Sequence, residues 1–342
     1  MQLSDSMKAV VQTRYGRPGE VLEVREVPRP EPGQGEVLVR VRAASVHPDV
    51  WHVVTGRPFF LRLVWAGVLR PKEVIPGTDL AGEVAVVGPG VSRFSVGDAV
   101  FGESFEELQW KNGGTFAEYV TVPEGMLAPK PSAVSFEQAA TVPSSGIIAL
   151  MNLRAGRVQP GYRVLVNGAG GGVGTIAVQL SKAWGAHVTG VDRAEKLELV
   201  RSLGADRVID YAREDFTRGS ERYDLVFDVA SNLSLGAARR VLGESGVYVF
   251  VGHDHYGRKG RRVLGSLPRA ISLMLRARFD RNLPGPGSPL PGKRECMAAL
   301  GDLLEAGKLT PVVARTYPLE QVPEAIRDLA EGNRPGRILI TP

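Results

Sequence analysis

VLVNGAGGGVGTIAVQL, residues 164–180, runs an apolar, β-branched segment into a glycine cluster and out again into helical spacing. Counted back from Gly174, the cluster reads Ala169-x-Gly171-x-x-Gly174, a form of the dinucleotide-binding turn. A small residue at Ala169 permits the tight turn. Gly171 lets backbone approach a pyrophosphate, and Gly174 lets the helix lie close to the strand. Gly170, Gly172 and Val173 complete the cofactor-binding loop. N–H groups at the start of the helix face phosphates there, helped by the helix dipole. Asp192 ends the next strand, close to the spacing of about 20 residues expected for an acid that holds the adenosine ribose. Arg193, beside it, could instead pair with a 2′-phosphate. A glycine loop without a ligand is the plain alternative, and the strand before, helix after and acid beyond argue against it.

Alternation continues past this turn. RVLVNG (163–168), HVTGVD (187–192), RVIDY (207–211), YDLVFDVA (223–230) and GVYVFVGH (246–253) have strand character. VGTIAVQLSKAWGA (173–186), AEKLELVRSLGA (194–205) and LSLGAARRVLG (233–243) have helical spacing. Such alternation predicts a parallel, doubly wound sheet with right-handed crossovers, hence an α/β fold. Its ligands lie off the carboxyl ends of the strands. That adds Val229 and Ala230, and Val251, Gly252 and His253, to the cofactor-binding candidates.

The first third is different. MKAVVQ (7–12), EVLVRVRAASV (36–46), AGEVAVVG (81–88) and GGTFAEYVTVP (113–123) are short strands between Gly and Pro turns, predicting a compact barrel or sandwich. SFEQAATVPSSGIIALMNLRA (135–155) reads as helical with a break at Pro143. Within a basic stretch, SLPRAISLMLRARF (266–279) reads as an amphipathic helix packed on the sheet or at a subunit contact. A membrane-surface role is the weaker alternative, since no anchor accompanies it. The tail from Cys296 gives helix, strand, helix, strand.

The length, 342 residues, suggests two domains. Net charge is +5 and the isoelectric point about 9.4, mild enough for a solvated surface or for anionic ligands such as dinucleotides. No compact basic run is interleaved with aromatics, so nucleic acid has no support as a partner. One cysteine, Cys296, excludes an internal disulfide and a four-cysteine zinc lobe, and points to a cytoplasmic protein. FFLRLVWAGVL (59–69) is too short to span a bilayer and contains Arg62. The expected partner is a small-molecule substrate. No membrane span is expected, and a homodimer is the default assembly.

AASVHPDVWHVVTG (43–56), PGTDLAGEVAVVGPGVSRFSVGDAVFG (76–102), GGTFAEYV (113–120), GAGGGVGTIAVQLSKAWGA (168–186) and SLGADRVIDY (202–211) together resemble the medium-chain dehydrogenase/reductase superfamily. Within it, the chain is similar to the zinc-independent quinone oxidoreductase and enoyl reductase-like branch. The resemblance implies a GroES-like β-rich catalytic domain plus a Rossmann domain, with the active site between them. Its boundaries fall at 1–130 for the N-terminal part of the catalytic domain, 131–285 for the NAD(P)-binding domain, and 286–342 for the return to the catalytic domain. Zinc-dependent relatives carry cysteine where this chain has His47, and Gly-His-Glu where it has Gly77, Thr78 and Asp79. Their third ligand falls near Thr141–Val142. A catalytic zinc is therefore not expected. The zinc-free branch usually has Asn-Pro at His47–Pro48. In NADP-using members a lysine and a tyrosine matching Lys182 and Tyr211 approach the 2′-phosphate. Asp192 tilts the expectation slightly towards NAD(H).

Without zinc, hydride transfer is easiest to acceptors that delocalise the incoming charge, such as quinones and α,β-unsaturated carbonyls. The oxygen that gains the charge needs hydrogen-bond donors, and His47, His52, Trp51 and Thr78 can all donate. These four are the catalytic candidates. Alternatives are zinc-free oxidation of an alcohol with a histidine as base, or a dinucleotide-binding scaffold or sensor without catalysis.

Overall fold

The structure is a computed structural model that describes residues 3–63, 67–106, 112–252, 263–285 and 290–342. His253 and its neighbour His255 lie outside the described residues.

In chain order the strands are β1 (Ser6–Gln12), β2 (Leu22–Pro28), β3 (Glu36–Val46), β4 (Asp79–Val87), β5 (Ala99–Glu103), β6 (Tyr119–Pro123), β7 (Leu127–Pro129), β8 (Arg163–Asn167), β9 (His187–Asp192), β10 (Arg207–Asp210), β11 (Tyr223–Asp228), β12 (Leu242–Phe250), β13 (Val313–Pro318) and β14 (Arg337–Thr341). The helices are α1 (Pro18–Val21), α2 (Pro48–Thr55), α3 (Phe136–Ala140), α4 (Pro143–Ala155), α5 (Gly172–Ala183), α6 (Ala194–Ser202), α7 (Leu235–Val241), α8 (Leu267–Arg276), α9 (Lys293–Glu305) and α10 (Val322–Glu331).

β8 to β12 form a parallel sheet in the order β10-β9-β8-β11-β12. Its strands are buried on both faces, so RVLVN and YDLVFD read as nearly continuous apolar runs. The order reverses between β8 and β11, which opens a crevice at their carboxyl ends. The other large sheet runs β13-β14-β3-β4-β5-β7, with β6 pairing β3. β14 lies antiparallel to β3, so the last strand of the chain returns to the first third. Through it, the C-terminal residues are carried back across the crevice: Gly336 N–H donates to Gly170 O at 2.9 Å.

Local chemistry sets the helix starts. Ser135 and Gln138 form a reciprocal capping box at α3. Pro143 then starts a new helix, because its missing N–H is no loss in a first turn. α8 forms where the spacing predicts it. Only its Leu273 and the following Ala277 touch the core, and they do so partly buried. The expectation of a helix packed on the sheet is met on that side alone, because Ile271, Met274 and Leu275 point to solvent.

Candidate active site

The crevice is a cavity of about 430 Å³. One wall is the glycine turn. Gly168 has φ +87°, a conformation that favours glycine. A Cβ at Gly174 would lie 2.1 Å from Gly168 O, so α5 can sit this close to β8 only without a side chain there. A Cβ at Gly171 would meet only Gly168 O, at 3.6 Å. The space beyond Gly171 is therefore open, as backbone that receives a phosphate requires. Gly171, Gly172 and Val173 line the cavity; Ala169 is buried beneath them.

Asp192 also lines it, but its carboxylate is engaged. Oδ2 accepts from Gly170 N–H at 2.8 Å and Oδ1 from Arg193 N–H at 2.8 Å. Lys196, one helical turn on, lies 3.9 Å from Oδ1. Burial pulls the Lys196 ammonium below its ordinary value, against the pull of Asp192 in the other direction. Arg193 Nε donates to the Tyr211 hydroxyl at 2.8 Å and Nη1 to Asn333 at 2.8 Å. Val229 and Ala230 line the opposite side. Val251 and Gly252 follow β12 outside the lining; Gly252 N–H donates to Ser231 Oγ at 3.1 Å. Lys182 is also outside it, its ammonium bound by Asp206 at 2.8 Å.

Of the four catalytic candidates, the fold brings His47 to the cavity, with Pro48. His47 caps α2. Its Nδ1 lies 3.1 Å from Asp49 Oδ2 and 3.3 Å from Asp49 N, and both side chains are almost wholly buried. Trp51 and His52 are buried along the same helix, ring centroids 5.2 Å apart, and His52 Nδ1 donates to Arg57 O at 2.7 Å. Thr78 is buried at the start of β4, 3.5 Å from Asp79. None of these three lines the cavity.

Sequence reasoning missed Asn167, Lys196 and Arg337. Asn167 ends β8 and donates to Asp228 and Asn232, both at 2.7 Å. Lys196 was findable, four residues after Asp192 and therefore on the same side of the helix start. Arg337, brought in by β14, sets its guanidinium over the glycine turn: a Cβ on Gly172 would meet it at 2.6 Å. Its Nη2 donates to Ser145 Oγ. No local signal near residue 170 could have announced a cation 167 positions downstream.

Residues 33–132 match the alcohol dehydrogenase GroES-like domain and residues 203–340 match a zinc-binding dehydrogenase domain. A chloroplast envelope quinone oxidoreductase homolog from Arabidopsis thaliana is 30% identical over 98% of both chains. The chain belongs to the medium-chain dehydrogenase/reductase superfamily, in its quinone oxidoreductase-like branch. A second member of the superfamily, an NAD-dependent alcohol dehydrogenase from Sulfurisphaera tokodaii, is 33% identical over 98% of this chain and all of that one. The solved structure of the quinone oxidoreductase from Coxiella burnetii superposes with a TM-score of 0.80 at 25% identity, covering 98% of this chain and 99% of that one.

Some members of this superfamily use zinc, so the donors matter. His47 Nδ1 is taken up by Asp49. Asp79 accepts from Ser45 Oγ at 2.6 Å and from Ser144. Among the described residues no three His, Cys, Asp or Glu side chains converge as a metal needs. A dinucleotide does fit: an open backbone at Gly171, a helix start behind it, and Arg337, Arg193 and Lys196 along the wall. Among the described residues no helix is long and apolar enough to cross a membrane.

Proposed function

We propose that the chain reduces quinones or α,β-unsaturated carbonyls with a nicotinamide dinucleotide, without zinc. The observation that carries this is that His47 and the glycine turn line one cavity, with Asp49 held against the His47 ring, at the position where zinc would need a ligand set that these side chains do not make. The quinone oxidoreductase relatives support the same reading. A bound reduced nicotinamide supplies the hydride. Arg337 and the first turn of α5 hold the pyrophosphate, and Val229 and Ala230 back the nicotinamide end.

On an acceptor that takes this hydride at its conjugated atom, the oxygen would gain the electron pair and need a proton. His47 in its imidazolium form donates through Nε2 and then gives up that proton. Asp49 Oδ2 keeps Nδ1–H in place, so the ring is left as the Nδ1–H tautomer. The Asp49 N–H competes for the same nitrogen at the longer distance, and binds it only when Nδ1 is unprotonated. A neutral product therefore leaves with one hydride and one proton.

The sequence tilts slightly towards NAD(H) through Asp192. In the cavity that carboxylate is already satisfied by two N–H groups, while Arg193, Lys196 and Tyr211 line the same wall and could exchange their present partners for a 2′-phosphate. These contacts favour NADPH. The lone, buried cysteine supports a cytoplasmic setting.

A panel of enones and quinones with NADPH and NADH tests the reading. Consumption of NADPH with at least one class is expected; none with any acceptor sinks the proposal. The Sulfurisphaera relative favours a second reading, in which the same dyad removes a proton from an alcohol. NAD⁺-driven oxidation of secondary alcohols in the presence of a chelator would establish it.

A further inference from the structure

α8 carries Ile271, Met274 and Leu275 at i, i+3 and i+4, one stripe of a helix. The stripe faces outward, with exposures of 46%, 74% and 65%. Phe279, at the next position of the stripe, is 92% exposed. Arg276 and Arg278 stand exposed beside it. Large apolar side chains gathered on one exposed face mark a contact surface.

The helix is held firmly in this pose from beneath. Arg269 Nη1 donates to Ser231 O at 2.7 Å, and Nη2 to the Tyr248 hydroxyl at 2.6 Å and to Leu233 O. Tyr248 in turn donates to buried Asp228 at 2.8 Å. Ser266 Oγ donates to Gly252 O at 2.6 Å. These anchors are the carboxyl ends of β11 and β12, directly after Val229 and Ala230 of the cavity wall. On the other side, Phe60 N–H donates to Val263 O at 3.1 Å. That joins exposed Phe59 and Leu63 to exposed Val263 and Leu264. The apolar surface thus begins at the rim of the cleft and involves both large units of the fold.

Charge identifies what covers it. The described residues 263–281 contain four arginines, Arg269, Arg276, Arg278 and Arg281, and one acid, Asp280. Asp280 is already paired with Arg239. A second copy docked two-fold on the stripe would set arginines against arginines. An anionic bilayer takes both parts of the pattern, apolar side chains entering the acyl boundary and arginines meeting phosphates. We propose that α8, with Val263, Leu264 and Phe279, is a docking surface for an anionic lipid bilayer, and that apolar substrate enters the cleft from that side. The entry route rests on the redox reading above; the docking does not.

Co-sedimentation of the full chain with vesicles tests it, using phosphatidylcholine mixed with phosphatidylglycerol against phosphatidylcholine alone. Binding is expected only to the anionic vesicles and weakens with salt. Arg276→Gln and Arg278→Gln each lower the affinity about fivefold. The double variant Met274→Asp, Phe279→Asp abolishes binding, while thermal melting and turnover of a water-soluble enone stay at wild-type values. Absence of binding to anionic vesicles overturns the docking. So does equal binding to both vesicle types, or a wild-type dimer that the double variant converts to monomer without any vesicle binding, which would assign the stripe to a second copy. Vesicle binding with no turnover of any quinone or enone would uphold the docking and remove only the entry route.

Discussion

At the scale of the residue, Asp49 contacts His47 Nδ1, which leaves Nε2 as the nitrogen that donates in the proposed reaction. Replacing His47 with Ala removes that proposed proton donor. The expected result is a fall in kcat of about 10²–10⁴-fold, with little change in the KM for dinucleotide. Asp49→Asn acts through the ring, so its effect on kcat is smaller. Steady-state rates read both variants; an unchanged kcat in either contradicts the dyad. Arg193→Ala should raise the KM for NADPH about tenfold to a hundredfold, the cost of a lost charge-assisted contact, and leave the KM for NADH nearly unchanged. Competitive titration of the two cofactors measures the difference. His47 was legible as a candidate from its place beside Pro48. Asp49 was not, because only the backbone turn at the start of α2 folds its carboxylate back onto the ring two residues earlier.

At the scale of the element, the turn between β8 and α5 separates two uses of glycine. Gly174→Ala drives a Cβ into Gly168 O and should cost about 1–3 kcal/mol of stability. Gly171→Ala meets only ordinary contact at 3.6 Å. It should melt near the wild type yet bind dinucleotide poorly, because its methyl group occupies the phosphate's approach. Thermal melts with and without cofactor distinguish the two. Elements with strong periodicity were legible: β3, β8, β9 and α5 fall where apolar pattern and turn residues put them. α2 was not read as a helix, since PDVWHVVT is rich in β-branched residues; Pro48 at its first turn and the His47 cap start it nonetheless. β2, LEVREVP, alternates charged and apolar residues on an exposed edge and shows itself as a strand only by pairing with β1.

At the scale of the whole molecule, a buried cluster ties β4 and β5 of the seven-stranded sheet to α4 and α9. Ser144, at the start of α4, lies against Asp79 of β4 and 2.8 Å from Glu103 of β5. Lys293 of α9 reaches the same Glu103. Burial pushes the Glu103 carboxyl up, helped by Asp79 and opposed by Lys293. Its folded-state value therefore lies above its unfolded one, and the folded protein keeps the carboxyl proton longer. The stabilisation is complete below the unfolded value and is lost as pH rises through the folded one. Urea melts at pH values rising above the ordinary carboxylate range should show that decline, with a flatter slope in Glu103→Gln; equal slopes refute it. The sequence alone determined the parallel sheet, the glycine turn and the family, because strand period, turn chemistry and the spacing to Asp192 are local properties of the chain. Only the tertiary structure decided which candidates meet. It turned Trp51, His52 and Thr78 away from the cavity and gave Lys182 to Asp206. It also brought Arg337 onto Gly172 from the far end of the chain, since contacts between distant residues depend on how strands pair across the crevice and not on any spacing within them.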